Sequence, residues 1–522
     1  MPLNSRCIPR KGLVSHLVAH TKASKMGSET DVKASTTHID DAAQYVNDNI
    51  GTLSPEDEKR CLRRVDMVLM PVMFVTMALQ YMDKACLTGA AMFGILTDLD
   101  LLQVKNYELD MTRYSYCTMI FYWGYLIGTP LAVVLAQKAP LAKYVSVMMF
   151  LWGGVTICTA AVNTYQGLLI QRFFLGFSEA AVSPAFSLVT AMWYRRHEHP
   201  LRIAIWYSST GLGTLVGAML LYGIGGIKGA LAAWRYQFMI IGTATSVWGI
   251  ALWFLLPDNP MTARFLTPEL RKIAILRIAS EQIGIENKKV KKEQIKEALT
   301  DPKAWAYVAI TFFIMLCNGA LTGFGTVITQ SFGFSELKTI LLIGVVGAVG
   351  FVALLTFGLI SVFIPNTRIY MGTFSCLPVI AGAAMVWRAD WSHKIVPLWG
   401  MYLMGFFPAV YVMTLSLATA NTAGHTKKAV TAGMIWASYC ISNGVAPLLV
   451  FANEKPDQYP TTFKIVIAGS AVAAGVLIVL RGYLMRVNRK RDRLHPVDED
   501  EVMATALLDH TDGENLNFRY QM

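Results

Sequence analysis

The sequence predicts an all-α membrane protein with twelve transmembrane helices in two six-helix bundles. Three observations carry that prediction. The 522 residues are 54% hydrophobic and only 16% charged, where a soluble domain carries roughly a quarter charged residues. Apolar stretches of about 20 residues, enough to cross the hydrocarbon core, recur along the chain. A basic polar stretch at 257–303 divides six of these stretches from six more.

In chain order, residues 1–64 are polar and lack the apolar core of a cleavable signal peptide, so insertion falls to the first apolar segment. The twelve segments lie near 66–88, 114–136, 142–162, 166–193, 203–224, 236–256, 304–328, 339–363, 368–387, 395–420, 429–451 and 463–485. Gly and Pro fall inside many of them, which membrane helices tolerate because neighbouring groups satisfy the freed backbone. The expected domains are an N-terminal tail 1–64, a first bundle 65–256, a central loop 257–303, a second bundle 304–487 and a C-terminal tail 488–522. The central loop carries Arg271-Lys272, Lys288-Lys289, Lys291-Lys292 and Lys296 between Glu residues. Ile273, Leu276 and Ile283 recur there at roughly helical spacing, which predicts one or two short surface helices. From residue 494 the chain is polar and includes Asp498-Glu499-Asp500-Glu501, which predicts a mostly disordered end.

Charge placement sets the topology. With both termini cytoplasmic, about 35 Lys and Arg fall on the cytoplasmic side and about nine in outer loops. Arg63-Arg64, Arg195-Arg196, Lys427-Lys428 and Arg489-Lys490-Arg491 lead the first group. The net charge of +11 is therefore a topology signal and not one for nucleic acid. Cys86, Cys117, Cys158, Cys317, Cys376 and Cys440 sit in apolar segments, where a thiol behaves as a small hydrophobe. No C-x-x-C, P-loop, H-E-x-x-H or nucleophile elbow occurs, so no metal, cofactor or enzymatic activity is predicted. No N-x-S/T sequon occurs either, which fits very short outer loops.

The first and fourth segments carry charges where they are expensive. Asp83 and Lys84 lie inside the first, and Arg172 and Glu179 inside the fourth. Each costs about 2.5–3.5 kcal/mol on insertion scales, and such residues mark solute or proton pathways. Arg172 and Glu179 are two turns apart and share a helix face. Across a water-filled cavity, the four would largely neutralise one another. An arginine grips a carboxylate in two places. Carboxylates withdrawn from water can exchange protons near neutral pH. Together these make a minimal kit for carrying an anion with a proton. The same charges also fit an internal salt-bridge network that only locks helices, and Lys84 is near enough to its helix end to snorkel outward. Asn318 and Asn443 could bind solute or cross-link helices, and Tyr81, Tyr122, Tyr411 and Tyr439 could line a cavity or pack. Gly213 and Gly217, like Gly344, Gly347 and Gly350, suit close helix packing, with a hinge as the alternative.

Several motifs in order resemble the major facilitator superfamily, and within it the fungal anion:cation symporter branch, the allantoate permease family. They are Tyr81-Met-Asp-Lys84 with Ala91-Met-Phe-Gly94, Arg172-Phe-Phe-Leu-Gly176-Phe-Ser-Glu179, and Trp193-Tyr-Arg-Arg196. Leu256-Pro-Asp-Asn-Pro260, Ala423-Gly-His-Thr-Lys-Lys428, Thr511-Asp-Gly-Glu-Asn515 and Phe518-Arg-Tyr520 follow. The resemblance spans about residues 56–522. It implies the major facilitator fold and proton-driven uptake of a small carboxylate at the plasma membrane; a monomer is expected. It also implies an anion role for Arg172. The chain departs from the wider family after the second segment, where Ala136-Gln-Lys-Ala-Pro-Leu-Ala-Lys143 lacks the usual acidic and arginine partners. That cytoplasmic gate must be built differently.

These readings converge on a proton-coupled symporter of a small organic anion, with the substrate site near the midplane between the bundles. Arg172, Lys84, Asn318 and Asn443 are the expected substrate contacts, and Glu179 and Asp83 the expected proton carriers. Export of a metabolite by the same fold is the rival transport reading. A non-transporting nutrient sensor is the rival from another class; the short tails argue against it.

Overall fold

The computed structural model describes residues 54–105, 108–195, 198–227, 229–260, 263–279, 291–364, 366–494 and 510–522. Most of the N-terminal tail, Arg196, Lys288-Lys289, Ile283 and Asp498–Glu501 lie outside the described residues. Those from Glu56 onward belong to one compact unit.

The first half opens with α1, Pro55–Met92, a helix of 38 residues that continues through Pro71. A two-stranded antiparallel hairpin follows, β1 Gln103–Lys105 and β2 Glu108–Asp110. Then come α2 Thr112–Lys138, α3 Leu141–Cys158, α4 Tyr165–Glu179 and α5 Val182–Trp193. α6 His199–Gly225 and α7 Ala233–Leu255 complete this half. Thr164 caps α4 by accepting from the Gly167 amide at 3.1 Å. α4 and α5 form one broken span from Tyr165 to Thr190.

Two short helices occupy the central stretch, α8 Pro268–Ala279 and α9 Lys292–Thr300. α10 Pro302–Asn318 starts the second half, with Asp301 capping it through the Lys303 amide and Pro302 in the first turn, where its missing N–H does no harm. A π-helical turn, Gly319–Gly323, joins it to α11 Phe324–Ser331. α12 Glu336–Phe363, α13 Arg368–Arg388, α14 Ile395–Met404, α15 Phe407–Asn421, α16 His425–Val445 and α17 Pro460–Leu494 follow.

Among the described residues, ten spans are long and apolar enough to cross a membrane. α2 and α16 are also of spanning length, 27 and 21 residues. Each turns one face to the other half: the Tyr122 and Tyr439 rings lie 6.3 Å apart, and those of Tyr125 and Trp436 6.4 Å. Tyr122, Tyr125 and Tyr439 are therefore interface residues, whereas Ser438 and Ser442 of α16 donate to the Val308 and Phe312 carbonyls of α10 within the second half.

The glycines expected to mediate packing do so. A methyl on Gly211 would overlap the Gly347 carbonyl, and one on Gly347 would overlap that of Gly211, so α6 and α12 touch backbone to backbone. Gly213 lies equally close to Ala78 of α1. At the hairpin end, Tyr114 Oη donates to the Gly323 carbonyl at 2.9 Å, and Thr326 Oγ1 to that of Thr88 at 2.9 Å. These bonds join the halves at that end.

One small element escaped the sequence reading, and one expectation needs correcting. The hairpin was not legible as strand, because residues 103–110 are polar and too short for an alternating pattern. The tail is not disordered at its end: residues 510–522 pack on the second half, with Asp512 fully buried and Tyr520 buried. Their partners, Lys303 and Lys427, are far away in sequence.

Candidate functional site

Asp83 and Lys84 are neighbours on α1, about 100° apart around the helix, so they meet different elements. Asp83 turns to α3. Its Oδ2 accepts from Trp152 Nε1 at 2.8 Å and from Thr156 Oγ1 at 3.4 Å. Its Oδ1 has no hydrogen-bond partner among the described residues. Lys84 turns to α4 and α2. Its Nζ lies 3.0 Å from Glu179 Oε1, 4.8 Å from the Tyr81 ring centroid and 5.7 Å from that of Phe121. Lys84 therefore does not snorkel outward: its side chain is only 11% exposed and paired inside.

Arg172 is 3% exposed. Its guanidinium carbon lies 5.3 Å from the Phe238 ring centroid on α7. Nε and Nη2 have no hydrogen-bond acceptor among the described residues. Stacking on an aromatic face offsets part of the desolvation of a guanidinium but satisfies none of its N–H donors. The four charges thus do not form one closed network. Lys84 and Glu179 neutralise each other, Asp83 is held by an indole and a hydroxyl, and Arg172 retains free donors.

Arg172, Lys84 and Asp83 line one cavity of about 490 Å³, with Thr88, Phe121 and Tyr122. A larger cavity of about 810 Å³ shares Thr88 and Thr322 with it. Among the described residues, no charged one lines the larger cavity. Tyr81, Thr210, Thr214, Thr326 and Asn318 join Thr88 and Thr322 as its polar lining, and Leu221, Ile340 and Leu354 are among its apolar walls.

Asn318 and Asn443 are cross-linked. Asn318 Nδ2 donates to Asn443 Oδ1 at 2.6 Å, and Asn443 Nδ2 to the Tyr439 carbonyl at 2.8 Å. This pair ties α10 to α16 beside the π-helical turn, and Asn318 also lines the larger cavity. Tyr81 and Tyr122 line cavities, whereas Tyr411 and Tyr439 pack on each other with centroids 5.4 Å apart. Trp152, Thr156, Thr88 and Thr322 escaped the sequence reading. Only the buried indole gave a signal, since its N–H needs an acceptor.

The loop after α2 is tied in its own way: the Ala142 amide donates to Asp258 Oδ1 at 3.0 Å. Nearby, Arg277 of α8 pairs with Glu198 at 2.6 Å and Glu58 at 3.1 Å, and Arg195 pairs with Glu58. This network fastens α8 to the first half.

Residues 73–447 match the model of the Major Facilitator Superfamily. An uncharacterized transporter of Schizosaccharomyces pombe is 34% identical over 483 residues, covering 92% of this chain and 90% of its own length. The allantoate permease of Saccharomyces cerevisiae is 30% identical over 485 residues, with 90% and 88% covered. A thiamine pathway transporter of the same yeast is 30% identical over 471 residues, with 90% and 87% covered. Among solved structures, the xylose transporter XylE from E. coli, partially occluded and inward open, superposes with a TM-score of 0.60 at 14% identity, covering 78% of this chain and 96% of that one.

Proposed function

The chain belongs to the major facilitator superfamily, and on that premise we propose that this multi-pass membrane transporter carries a small organic anion together with protons. The chain is not an enzyme. One observation carries the anion reading: Arg172 is buried, lines a cavity and has two N–H positions without an acceptor among the described residues. A guanidinium keeps its charge at any physiological pH. A carboxylate is the group that meets those donors in pairs. The allantoate permease is named for an anion, which accords with this reading.

The linked cavities refine the substrate. Of the two cations there, Lys84 is paired with Glu179, while Arg172 stacks on Phe238 and keeps Nε and Nη2 without an acceptor among the described residues; the described lining of the larger cavity is uncharged. The best fit is a monoanion whose carboxylate meets Arg172 and whose uncharged body extends past Thr88 and Thr322. Asn318 sits where it can contact that body, and Asn443 positions it.

Coupling follows from the Lys84–Glu179 pair. Protonation of Glu179 removes the negative partner and leaves Lys84 available to the anion as a second cation. Proton and anion then each raise the other's affinity, as linkage requires. Asp83, whose Oδ1 has no partner among the described residues and which lines the same cavity, is the second proton carrier. The first half, 65–256, rocks against the second, 304–487, with both termini cytoplasmic and the protein monomeric in the plasma membrane. The bonds at the hairpin end close the outer side in this state.

An uptake screen tests the proposal. Cells with and without the protein are given labelled small carboxylates at acidic pH. Accumulation of a monocarboxylate, abolished by a protonophore, supports it. Efflux of a metabolite with no carboxylate uptake overturns the direction of transport, and absence of any flux in proteoliposomes overturns coupled transport itself.

A further inference from the structure

The C-terminal segment 510–522 has no part in the transport site, yet it is among the most heavily bonded polar stretches of the described protein. Asp512 is fully buried and accepts from two buried lysines, Lys303 at the start of α10 and Lys427 at the start of α16, the latter at 2.8 Å. Lys303 also donates to Tyr520 Oη at 2.8 Å, and Tyr520 Oη to Asp512 at 2.8 Å. Asn421, the last residue of α15, exchanges two 2.7 Å bonds with the Gln521 backbone. Near the end of α17, Asn488 exchanges bonds of 2.8 and 3.0 Å with the Tyr520 backbone. There too, Arg491 donates to the Phe518 and Asp512 carbonyls at 2.6 and 2.7 Å. The Arg368 amide of α13 reaches the Met522 carbonyl at 3.3 Å, and the Met522 amide reaches Asn366, in the turn after α12, at 3.2 Å.

Thirteen residues thus touch every helix end, or the adjoining turn, that the second half presents on the face away from the hairpin. The turns 364–367 and 422–424 already join α12 to α13 and α15 to α16 there. The start of α10 and the end of α17 have no such covalent neighbour within the bundle. The segment joins them. Backbone groups supply many of its bonds, and side-chain amides read both the N–H and the C=O of single residues, which fixes position as well as attachment.

We propose that residues 510–522 are a strap that closes this ring of helix ends and holds the second half as one body while the halves rock. The proposal rests on the alternating-access reading for its purpose but not for its test. The first half is held differently, by Arg277 of α8 between Glu58 and Glu198.

Hydrogen–deuterium exchange on the full-length protein in lipid nanodiscs needs no substrate. Wild type is compared with Asp512→Asn and with the milder Asn488→Ala, which removes two bonds at a partly exposed site. The expected result is exchange faster by about tenfold or more, equivalent to about 1.4 kcal/mol of local opening, at residues 419–430 and 484–492. Residues 336–342 and 395–401, at the opposite end of the same half, should keep wild-type rates. Unchanged exchange in both variants overturns the strap, and so does an equal increase at both ends. If transport fails in its own test while this pattern holds, the strap stands without it.

Discussion

Lys84 Nζ lies 3.0 Å from Glu179 Oε1, whereas Arg172, lining the same cavity as Lys84, has no acceptor for Nε or Nη2 among the described residues. One cation is committed and the other is not. This asymmetry assigns Arg172 to the anion and makes Lys84 conditional on the charge of Glu179.

Glu179→Gln fixes the neutral state. Lys84 then stays released, so carboxylate exchange between the two sides should persist at both acidic and neutral pH. Uphill accumulation driven by a pH gradient should be lost. Counterflow and gradient-driven uptake in the same vesicles check this. Gradient-driven accumulation at the wild-type level would move the proton role to Asp83.

Trp152→Phe removes the indole N–H that Asp83 Oδ2 accepts at 2.8 Å. Hydrogen bonds to charged groups contribute about 1.5–3 kcal/mol. Thermal denaturation should show a lower midpoint, and the pH optimum of transport should shift because Asp83 loses a donor to its charged form. An unshifted optimum would mark Asp83 as structural.

Gly347→Ala places a methyl against the Gly211 carbonyl, where α6 and α12 touch. Backbone cannot move aside as a flexible side chain does. Overpacking of this kind costs about 1–3 kcal/mol, so the melting midpoint should fall. Gly433→Ala, which meets nothing within 4 Å, is the control and should behave as wild type.

Asp512 titrates below the usual carboxylate range: burial raises its pKa, but the adjacent Lys303 and Lys427 more than offset that. A depressed folded pKa contributes stability that is present above the unfolded value and lost as pH falls through the folded one. Protection of residues 510–522 from proteolysis should therefore be equal at about pH 6 and about pH 8 and fail only in strong acid. Asp512→Asn removes one carboxylate from the cluster, while Lys303 keeps Asp301 at 3.2 Å and Lys427 keeps Asp301 and Glu297 at 2.8 and 2.9 Å; the charge-assisted bonds lost are worth about 1.5–3 kcal/mol, so its midpoint should fall below that of Asn488→Ala.

Much of the fold was legible because lipid demands long apolar runs, and the costly charges on α1 and α4 stood out against them. Shared helix faces were legible too, as with Arg172 and Glu179. What periodicity cannot report is which neighbour a face meets. Asp83 found Trp152 and Thr156 on α3, and no spacing in the sequence connects those segments. The tail end looked solvated because its charges were counted alone, while one partner, Lys303, lies 209 positions earlier. α2 and α16 read as ordinary spans, and nothing in their spacing showed that Tyr122 and Tyr125 would meet Tyr439 and Trp436 of the other half.

The central claim is tested most directly at Arg172. Initial uptake of the labelled monocarboxylate found by the screen is measured for wild type, Arg172→Lys and Arg172→Gln at matched surface amounts. Loss of paired, charge-assisted donors worth about 3 kcal/mol predicts a fall of about 100-fold or more for Arg172→Gln. Arg172→Lys should recover part of it, because the charge remains while the fork is lost. Wild-type uptake by Arg172→Gln would contradict the assignment and make the arginine a structural residue.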